Sequence, residues 1–421
     1  MSAVRKTRLA GVILGVLVPF AALAQGQRTE LPDGAGKELV QQLCTSCHQT
    51  NQITQSSGYS KEGWQALTSA MIDLSGSPEQ REEITAYLAR SFPPNERRAA
   101  KAMPGDAEVT FKEWIAPTLG QRSRDPVEAP DGSIWWAGQF ANLVGRIDPK
   151  TGEMREYPLP ANAMPHSVTI DDAGGVWYTG NKNGTIGKLD PATGKVTEYK
   201  MPDPAAKDPH TAVFDRQGIL WFTLQQSNMI GRLDPATGEI RLVTMLRADA
   251  KPYGIKVDKN GSLWVACNGG NCLVQVDPAT MALTEVALPI PKTTVRRLDI
   301  DGDGIIWYVN SSQGRLGRFD PATGEIKEWP SPSGPASHPY AIVAVDGFVW
   351  YNESGVRPDM LVRFDPKTET FQSWPIPSGI VFAGIIRHMR STREGNLLIH
   401  QSSTNRIMLV TPKSKDAART Q

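Results

Sequence analysis

The sequence has almost no excess charge, and it contains few cysteines and histidines. Its 421 residues include 45 lysines and arginines against 44 aspartates and glutamates, which leaves a formal net charge of +1. This balance favours neither nucleic acid nor a membrane surface as a partner. The four cysteines and six histidines form no cluster suited to copper, and no flavin fingerprint occurs. We therefore expect neither a copper centre nor a bound flavin.

Long apolar runs are equally scarce, and the one of note lies at the N terminus. Basic residues at 5–8 precede an apolar run at 9–23, which ends in the small-residue pattern Ala22-Leu23-Ala24. This order is typical of a cleaved signal peptide, here 1–24, whereas an uncleaved membrane anchor would need a longer apolar run. No later stretch is long and apolar enough to span a bilayer. We expect an exported protein, in the periplasm or another oxidising compartment outside the cytoplasm.

A Cys-X-X-Cys-His pattern follows the signal peptide, after the helix-compatible run "GKELVQQL". This spacing is typical of a covalent c-type haem, with thioether bonds from Cys44 and Cys47 and proximal iron ligation by His48. A redox dithiol shares part of the pattern. Export and the adjoining helix favour the haem, so the sequence predicts one haem c.

The sixth ligand of the iron is expected to be a methionine. No histidine lies between His48 and His166, which leaves Met71, on a predicted helix, and Met103, in a polar stretch. We favour Met71, for which the competing interpretation is an ordinary core methionine. Iron with histidine and methionine ligands has no open position, so it transfers electrons.

A further helix is predicted at 77–92, and its Tyr87 is expected to pack near Gly36. Residues 33–95 therefore resemble a class I cytochrome c, which is a small all-α domain. The chain is long enough for a second packed domain behind it. A polar linker is predicted at 96–108.

Beyond the linker the chain repeats itself about every 43 residues, a period typical of β-propellers. A marker tryptophan recurs in six units, at Trp135, Trp177, Trp221, Trp264, Trp307 and Trp350, and Leu398 takes its place in a seventh. Four short strands are predicted in each unit, separated by D-x-x-G and D-P-x-T-G turns. The sequence therefore predicts an all-β seven-bladed propeller.

The last unit lacks a fourth strand of its own. The segment "VTFKEWIAP", at 109–117, matches the fourth strands of other units. We expect this N-terminal strand to complete the last blade and close the ring, which leaves no open sheet edge. The propeller is thus predicted to cover 109–412, followed by a polar tail at 413–421.

The repeated motif P-H-x-(I/V)…W-(F/Y)-T…I-G-(R/K)-(L/I)-D-P closely resembles the streptogramin B (virginiamycin B) lyase family over nearly all of the propeller. The resemblance implies ring opening of a cyclic depsipeptide by elimination, with a histidine base and carboxylates that hold Mg²⁺. Asp208-Pro209-His210 matches the carboxylate-Pro-His element of the family, with Asp in place of Glu. Gln225, however, stands where the family has its second glutamate. The acidic residue at a corresponding strand end is Glu353, three blades away.

Lyase activity is therefore the alternative function, with His210, Asp208 and Glu353 as catalytic candidates and Mg²⁺ as cofactor. Functions vary widely among propellers, so the repeat alone does not assign one. The principal hypothesis is an exported haem protein that transfers electrons to or from a redox protein partner. A third hypothesis is a non-catalytic binding or sensor propeller.

One residue per blade is expected at the mouth of the central channel, where the innermost strands begin. Counting back eleven residues from each marker, with one residue fewer in the sixth unit, gives Arg124, His166, His210, Tyr253, Arg296, Tyr340 and Arg387. This ring suits a small oxygen-rich anion, because arginine binds carboxylates through two hydrogen bonds. A second ring of neutral groups is predicted at Gln139, Asn181, Gln225, Asn268 and Ser311. The competing interpretation is a set of solvated channel residues, or ones paired with Asp208 and Glu353.

Two further cysteines, Cys267 and Cys272, flank a four-residue turn between strands of one blade. Export favours a disulfide across this hairpin over a free thiol pair. A zinc site would need additional ligands nearby. We expect the bridge to be structural.

Overall fold

The computed structural model describes residues 30–46, 50–54, 56, 59–93, 99–378 and 386–413. Its helices are α1 (Lys37–Cys44), α2 (Thr50–Thr54), α3 (Lys61–Ser69) and α4 (Pro78–Ser91). Its strands begin with β1 (Glu108–Ile115) and end with β26 (Arg390–Ser391), β27 (Leu397–Gln401) and β28 (Arg406–Lys413). The signal peptide, residues 414–421 of the polar tail, Cys47 and His48 lie outside the described residues, whereas Lys413 ends β28.

The other strands fall into six consecutive blades of four. Blade one has β2 (Ser123–Glu128), β3 (Ile134–Gly138), β4 (Leu143–Ile147) and β5 (Met154–Pro158). Blade two has β6 (Pro165–Ile170), β7 (Val176–Gly180), β8 (Thr185–Leu189) and β9 (Val196–Lys200). Blade three has β10 (Pro209–Phe214), β11 (Leu220–Leu224), β12 (Met229–Leu233) and β13 (Ile240–Thr244).

Blades four to six repeat the pattern. Blade four has β14 (Pro252–Val257), β15 (Leu263–Cys267), β16 (Cys272–Val276) and β17 (Leu283–Ala287). Blade five has β18 (Val295–Ile300), β19 (Ile306–Asn310), β20 (Arg315–Phe319) and β21 (Ile326–Pro330). Blade six has β22 (Pro339–Val345), β23 (Phe348–Glu353), β24 (Met360–Asp365) and β25 (Thr370–Pro375).

The seventh sheet combines strands from both ends of the propeller, in the order β1-β28-β27-β26. β1 is antiparallel to β28, with Glu108 opposite Lys413 and Ile115 opposite Arg406. The described residues thus form seven four-stranded antiparallel sheets, the fold class predicted from the repeat. The segment predicted at 109–117 corresponds to β1.

In blades two to five the marker tryptophan donates a hydrogen bond to an aspartate of the preceding turn, and in blades two and five it also stacks on an aromatic ring of the outer strand. Trp221 donates its indole N–H to Asp215 Oδ2 at 2.7 Å, and Trp307 donates to Asp301 Oδ2 at 2.8 Å. Both aspartates begin a D-x-x-G turn, so the turn chemistry and the core are directly linked. On the other side, Trp307 stacks on Trp329 of the outer strand, with ring centroids 5.8 Å apart. The recurring D-x-x-G…W pattern therefore has a packing cause.

The glycine of the I-G-R motif makes room for the aromatic residue that follows the marker. A Cβ atom on Gly231 would collide with the ring of Phe222, and one on Gly317 would collide with Tyr308. The two residues of each pair lie opposite each other on neighbouring strands. The ring thus crosses the adjacent backbone, which only glycine permits.

The N-terminal helices have a small core of their own. Val40, Trp64, Tyr87 and Leu88 are among its buried residues, and Met71 packs against it. α1 meets α4 at Gly36, which has a φ of 92° and where a Cβ atom would lie 2.7 Å from Tyr87 Cβ. The expected packing of Tyr87 near Gly36 is confirmed.

Part of the predicted linker is docked on blade six. Ala100 N–H donates to Arg357 O at 3.1 Å, and Met103 exchanges hydrogen bonds with Ser373 through its N–H and C=O groups, at 2.9 Å each. Asp106 accepts hydrogen bonds from Gln372 Nε2 at 2.7 Å and from the Arg363 guanidinium at 3.1 Å. Residues 99–107 therefore follow the propeller surface, which composition alone did not indicate.

The helices also contact the propeller near its mouth. Gly120, in the loop between β1 and β2, donates its N–H to Ala70 O at 3.0 Å. A Cβ atom at Gly120 would lie 2.8 Å from Met71 O. No helix in the described ranges is long and apolar enough to cross a membrane.

Candidate functional site

The seven residues predicted at the mouth sit on equivalent positions of the blades. Each of the first six lies on an inner strand, and the seventh, Arg387, precedes β26. In blades one to six the inner strand shifts register at or next to this position, as between Pro209 and Ala212 in β10. Such bulges redirect side chains and are common beside functional sites.

The seven side chains form a connected group. The Arg124 guanidinium contacts His166 Nε2, and the rings of His166 and His210 stack with centroids 3.5 Å apart. His210 packs on Tyr253, with centroids 4.1 Å apart, and the hydroxyl of Tyr253 contacts that of Tyr340. The structure thus brings together the residues that counting along the repeat selected.

Two arginines complete the group around one phenol oxygen. Arg296 Nη1 lies 3.4 Å from Tyr340 Oη, and Arg387 Nη1 lies 3.3 Å from the same atom. The Arg296 guanidinium also covers the Tyr340 ring at 4.6 Å. Two guanidinium donors therefore lie beside this oxygen, and the Tyr253 hydroxyl can supply a third.

The charges at the mouth shift the pKa values of its titratable groups. Burial alone would raise the pKa of Tyr340, but Arg296 and Arg387 outweigh it and lower that pKa to about 7. Burial, followed by repulsion from Arg387, lowers the pKa of Arg124 to about 10. Arg124 therefore keeps its charge at neutral pH, and the pKa of Tyr340 lies far below that of an ordinary tyrosine.

Both histidines of the ring are neutral. Burial holds the pKa values of His166 and His210 well below 6.5, helped by nearby positive charges. His166 Nε2 accepts from Arg124, so its proton lies on Nδ1, 3.1 Å from His210 O. His210 Nδ1 lies 2.9 Å from the hydroxyl of Thr211, which itself accepts from Arg297 Nη1 at 2.9 Å. The Thr211 hydroxyl can either donate to His210 Nδ1 or accept from it, because its oxygen has a second lone pair beside the one that Arg297 uses.

A buried charged cluster adjoins the ring, and the sequence reasoning missed it. It consists of Asp125, Arg297 and His388, each one residue beyond a ring position. Asp125 Oδ2 lies 3.1 Å from His388 Nδ1 and 3.7 Å from Arg297 Nη2. Burial would raise the pKa of Asp125, but contact with His388 and the charge of Arg297 outweigh it and hold that pKa well below 3.8. Burial also holds the pKa of His388 well below 6.5, so Arg297 is the permanent positive charge beside Asp125. Reading one residue past each ring position would have found all three.

Arg122 is a second residue that the sequence analysis did not single out. It lies two residues after Gly120, and its guanidinium covers the Phe140 ring at 4.7 Å. Burial and then the charges of Arg124 and Arg387 lower its pKa well below 12.5. Arg122 therefore belongs to the same positive field as the ring, although no repeat position identifies it.

The second predicted ring divides into two groups. Asn181 Nδ2 donates to Pro209 O at 3.1 Å, and Ser311 Oγ donates to Pro339 O at 2.5 Å, so both connect neighbouring blades. Gln139 Oε1 and Asn268 Oδ1 are buried and have no hydrogen-bond partner among the described residues. Gln225 is half-buried. The ring thus supplies at least two unused acceptors rather than five.

The two carboxylates of the lyase hypothesis accept hydrogen bonds from neighbouring loops, Asp208 from the loop between β11 and β12 and Glu353 from the loop between β21 and β22. Asp208 accepts from Gln226 N–H at 2.7 Å and from the N–H and hydroxyl of Ser227 at 3.1 and 2.9 Å. Glu353 is fully buried and accepts from the Ser331 hydroxyl at 2.6 Å and the Ser333 N–H at 3.0 Å. Burial raises the pKa of both. The part of the chain that the structure describes holds no group of three His, Cys, Asp or Glu side chains arranged for a metal ion.

The predicted haem ligands fall only partly within the described residues. Cys44 ends α1, and Cys44 and Met71 both pack against the core of the helices. Met71 follows α3 rather than lying in it. Cys267 and Cys272 form a disulfide between β15 and β16, with Cα atoms 5.3 Å apart.

Comparison with known proteins identifies relatives of the propeller in sequence and in structure. Residues 105–276 and 238–416 match the virginiamycin B lyase family. A virginiamycin B lyase from Staphylococcus aureus is 25% identical, with a TM-score of 0.65, over 72% of this chain and 99% of that one. A streptogramin B lyase is 23% identical, with the same TM-score, over 72% and 98%.

A catalytically inactive variant of the S. aureus enzyme with quinupristin is 24% identical, with a TM-score of 0.63, over 72% of this chain and 99% of that one. A search of curated proteins found no match. The two family matches together cover well over half of the chain, and they coincide with the seven blades. The chain therefore belongs to the virginiamycin B lyase family.

Proposed function

We propose that this chain binds a small carboxylate at the mouth of its propeller and transfers electrons through a covalent c-type haem in its exported N-terminal part. One observation carries the binding proposal. Arg124, Arg296 and Arg387 each have a buried Nε that lacks a hydrogen-bond partner within the described residues. A buried donor without a partner costs about 1–3 kcal/mol, more for a charged group, and a bound anion would offset this.

The neighbouring acceptors narrow the chemistry of the ligand. Gln139 Oε1 and Asn268 Oδ1 need donors, and a carboxylate that also carries hydroxyl groups would supply them. Guanidinium groups bind carboxylates through paired hydrogen bonds, which gives directional recognition. We therefore propose a hydroxycarboxylate as the ligand class.

The N-terminal helices fit a haem on chemical grounds. Cys44 and Met71 adjoin one apolar core, and the indole N–H of Trp64 is buried there without a partner among the described residues. A propionate of a porphyrin is an acceptor of the kind that this N–H lacks. A haem held by Cys44, Cys47, His48 and Met71 would supply one-electron transfer and leave no open iron position.

Such a haem would need a partner, because it exchanges single electrons. We propose a redox protein in the same exported compartment as that partner. The charge balance of +1 supports neither nucleic acid nor a lipid surface as the docking target.

Lyase activity is the second candidate, favoured by family membership. It would use His210 as the base and Asp208 and Glu353 for Mg²⁺. The hydrogen bonds of both carboxylates to neighbouring loops argue against this use. His210 Nδ1 contacts the Thr211 hydroxyl, so a base at this position would have to use Nε2.

Calorimetric titration of the full mature protein with citrate tests the binding proposal. We expect binding that weakens at least tenfold in Arg296→Gln and Arg387→Gln, because each removes a charged donor from the ring. Arg241→Gln is the matched control, since Arg241 is exposed and pairs with Glu239 on blade three. Equal affinity in all four proteins, or no binding of any carboxylate, would contradict the proposal.

The haem is tested separately by absorption spectroscopy of the exported protein. We expect a covalent haem that is lost in Cys44→Ala. Met71→Ala should keep the haem but lose the methionine-to-iron charge-transfer band, because another ligand or water would replace the sulfur. Met103→Ala is the control, and loss of the band there instead would assign the ligand to Met103.

A further inference from the structure

The anion site contains one side chain that can itself carry the negative charge when no ligand is present. Tyr340 Oη faces Arg296 Nη1, Arg387 Nη1 and the Tyr253 hydroxyl, all of which can donate. A neutral phenol can use only part of this donor set, because its own hydrogen needs an acceptor. A phenolate oxygen accepts all three.

We propose that Tyr340 is a phenolate in the ligand-free protein and takes up one proton when a carboxylate occupies the arginine ring. The inference rests on the proposed carboxylate site and assigns its acid–base group. In the free site the phenolate compensates part of the arginine charge. A bound carboxylate takes over Arg296 and Arg387, and the phenolate then accepts a proton from solvent.

The groups that face Tyr340 favour this assignment. They are Arg122 before β2, Arg124 on β2, Tyr253 on β14, Arg296 on β18, Arg387 before β26, and His338, whose ring lies 6.0 Å away in the loop before β22. Four of the six carry a guanidinium group. Among the described residues around this oxygen, no carboxylate opposes the phenolate.

Tyr253 is the partner that keeps its proton. Burial and then the neighbouring Tyr340 raise the pKa of Tyr253, whereas the arginines lower that of Tyr340 to about 7. The two hydroxyls therefore share a single proton, which stays on Tyr253 and points at Tyr340. His166 and His210 are neutral across the relevant pH range, so they do not compete.

The sign of the pH dependence follows from this arrangement. Because the complex binds one more proton than the free protein, affinity falls as pH rises above the free pKa of about 7. The fall approaches tenfold per pH unit, the limit for one proton. Below pH 6 the phenol is already protonated and affinity levels off.

The first test titrates the ligand-free protein and follows tyrosinate absorbance in difference spectra. We expect one tyrosine to ionise near pH 7, and this step to be missing in Tyr340→Phe. Tyr178→Phe is the control, since Tyr178 is a buried tyrosine of blade two whose pKa is raised by burial and Glu198. Absence of any tyrosine ionisation below pH 9 would overturn the proposal. Histidines do not contribute to this signal.

The second test measures proton uptake by titrating citrate at pH 8 in two buffers of different ionisation enthalpy. We expect close to one proton per bound citrate in the wild type and close to none in Tyr340→Phe. Binding without proton uptake would overturn the role of Tyr340 and leave the carboxylate site standing. Failure of citrate, succinate and phosphate to bind would instead overturn the proposed function, while the ligand-free titration would still report on the phenolate.

A third variant covers the case in which Tyr340→Phe does not fold. Tyr253→Phe removes one donor from the phenolate and should raise the pKa of Tyr340 by on the order of one unit. An unchanged pKa in that variant would contradict the assigned hydrogen bond.

Discussion

Single residues at the mouth show how the propeller tolerates an unusual amount of buried positive charge. Arg124 and Arg297 are almost completely buried, at 3% and 2% exposure, and burying an unpaired cation is costly. Asp125 compensates for part of this charge through Arg297 and His388. Tyr340 compensates for more as a phenolate. The remaining excess is the physical basis of the proposed anion binding.

His400 should make the protein sensitive to mild acid. It is fully buried and accepts from the N–H groups of Arg387 and His388 at 3.2 Å each, and burial lowers its pKa to about 3. An unfolded histidine protonates near pH 6.5. The contribution of His400 to the free energy of unfolding is therefore complete above that pH and is lost as the pH falls toward 3. Between pH 7.5 and pH 5, we expect His400 to account for a loss of about 2 kcal/mol.

Urea unfolding of the wild type and of His400→Gln at both pH values measures this contribution. The variant should show a smaller decrease in the free energy of unfolding by that amount, even if it is less stable at pH 7.5. A parallel decrease in the two proteins would mean that His400 titrates normally in the folded state.

At the residue scale, the repeat predicted the seven residues of the ring but not the side chains that contact them. Counting back from each marker found the seven residues because six of the seven blades keep the same length between the marker and the inner strand, and the sixth is one residue shorter. The sequence did not indicate Asp125, because it does not reveal the bulge after Arg124. This bulge places two consecutive residues, Arg124 and Asp125, near the channel. The hydrogen bonds that occupy Asp208 and Glu353 come from loop serines and backbone groups, which carry no repeat signal.

At the scale of secondary-structure elements, the blades depend on aromatic rings laid over glycines. Gly231→Ala should destabilise the protein by about 1–3 kcal/mol, because its Cβ would displace the Phe222 ring from a packed core. Gly302→Ala is the control, since a Cβ there meets no atom within 4 Å. Thermal unfolding of both variants measures the difference, and the midpoint temperature of Gly231→Ala should be the lower one. Equal midpoint temperatures would contradict the packing argument.

At the scale of the whole molecule, one loop joins the helices, the propeller and the mouth. Gly120 forms a backbone hydrogen bond to Ala70, at the end of α3. Arg122 follows two residues later and lies near Arg124 and Arg387 at the mouth. Composition predicted a linker at 96–108 and left the relation of the two parts open. The docking of 99–107 on blade six depends on backbone hydrogen bonds, which composition does not reveal.

Gly120→Ala should loosen the helices from the propeller. The added Cβ would press on Met71 O, so we expect hydrogen exchange in residues 61–72 to quicken several-fold. Gly184→Ala is matched to it, because Gly184 has nearly the same φ, 67° against 65°, but a Cβ there would come no nearer than 3.7 Å to another residue. Unchanged exchange in Gly120→Ala would show that this contact does not hold the helices in place.

The pairing of β1 with β28 also determines how the molecule responds to mechanical load. Glu108 lies opposite Lys413, so tension applied between these two residues acts at one end of the ladder. Hydrogen bonds in an antiparallel pair run across the strands, and they would break one after another, as a zipper opens. A shearing pull would instead load them together. Tension between Glu108 and Lys413 would therefore open the seventh blade at low force, before it unfolds any of the other six blades, which consist of consecutive strands.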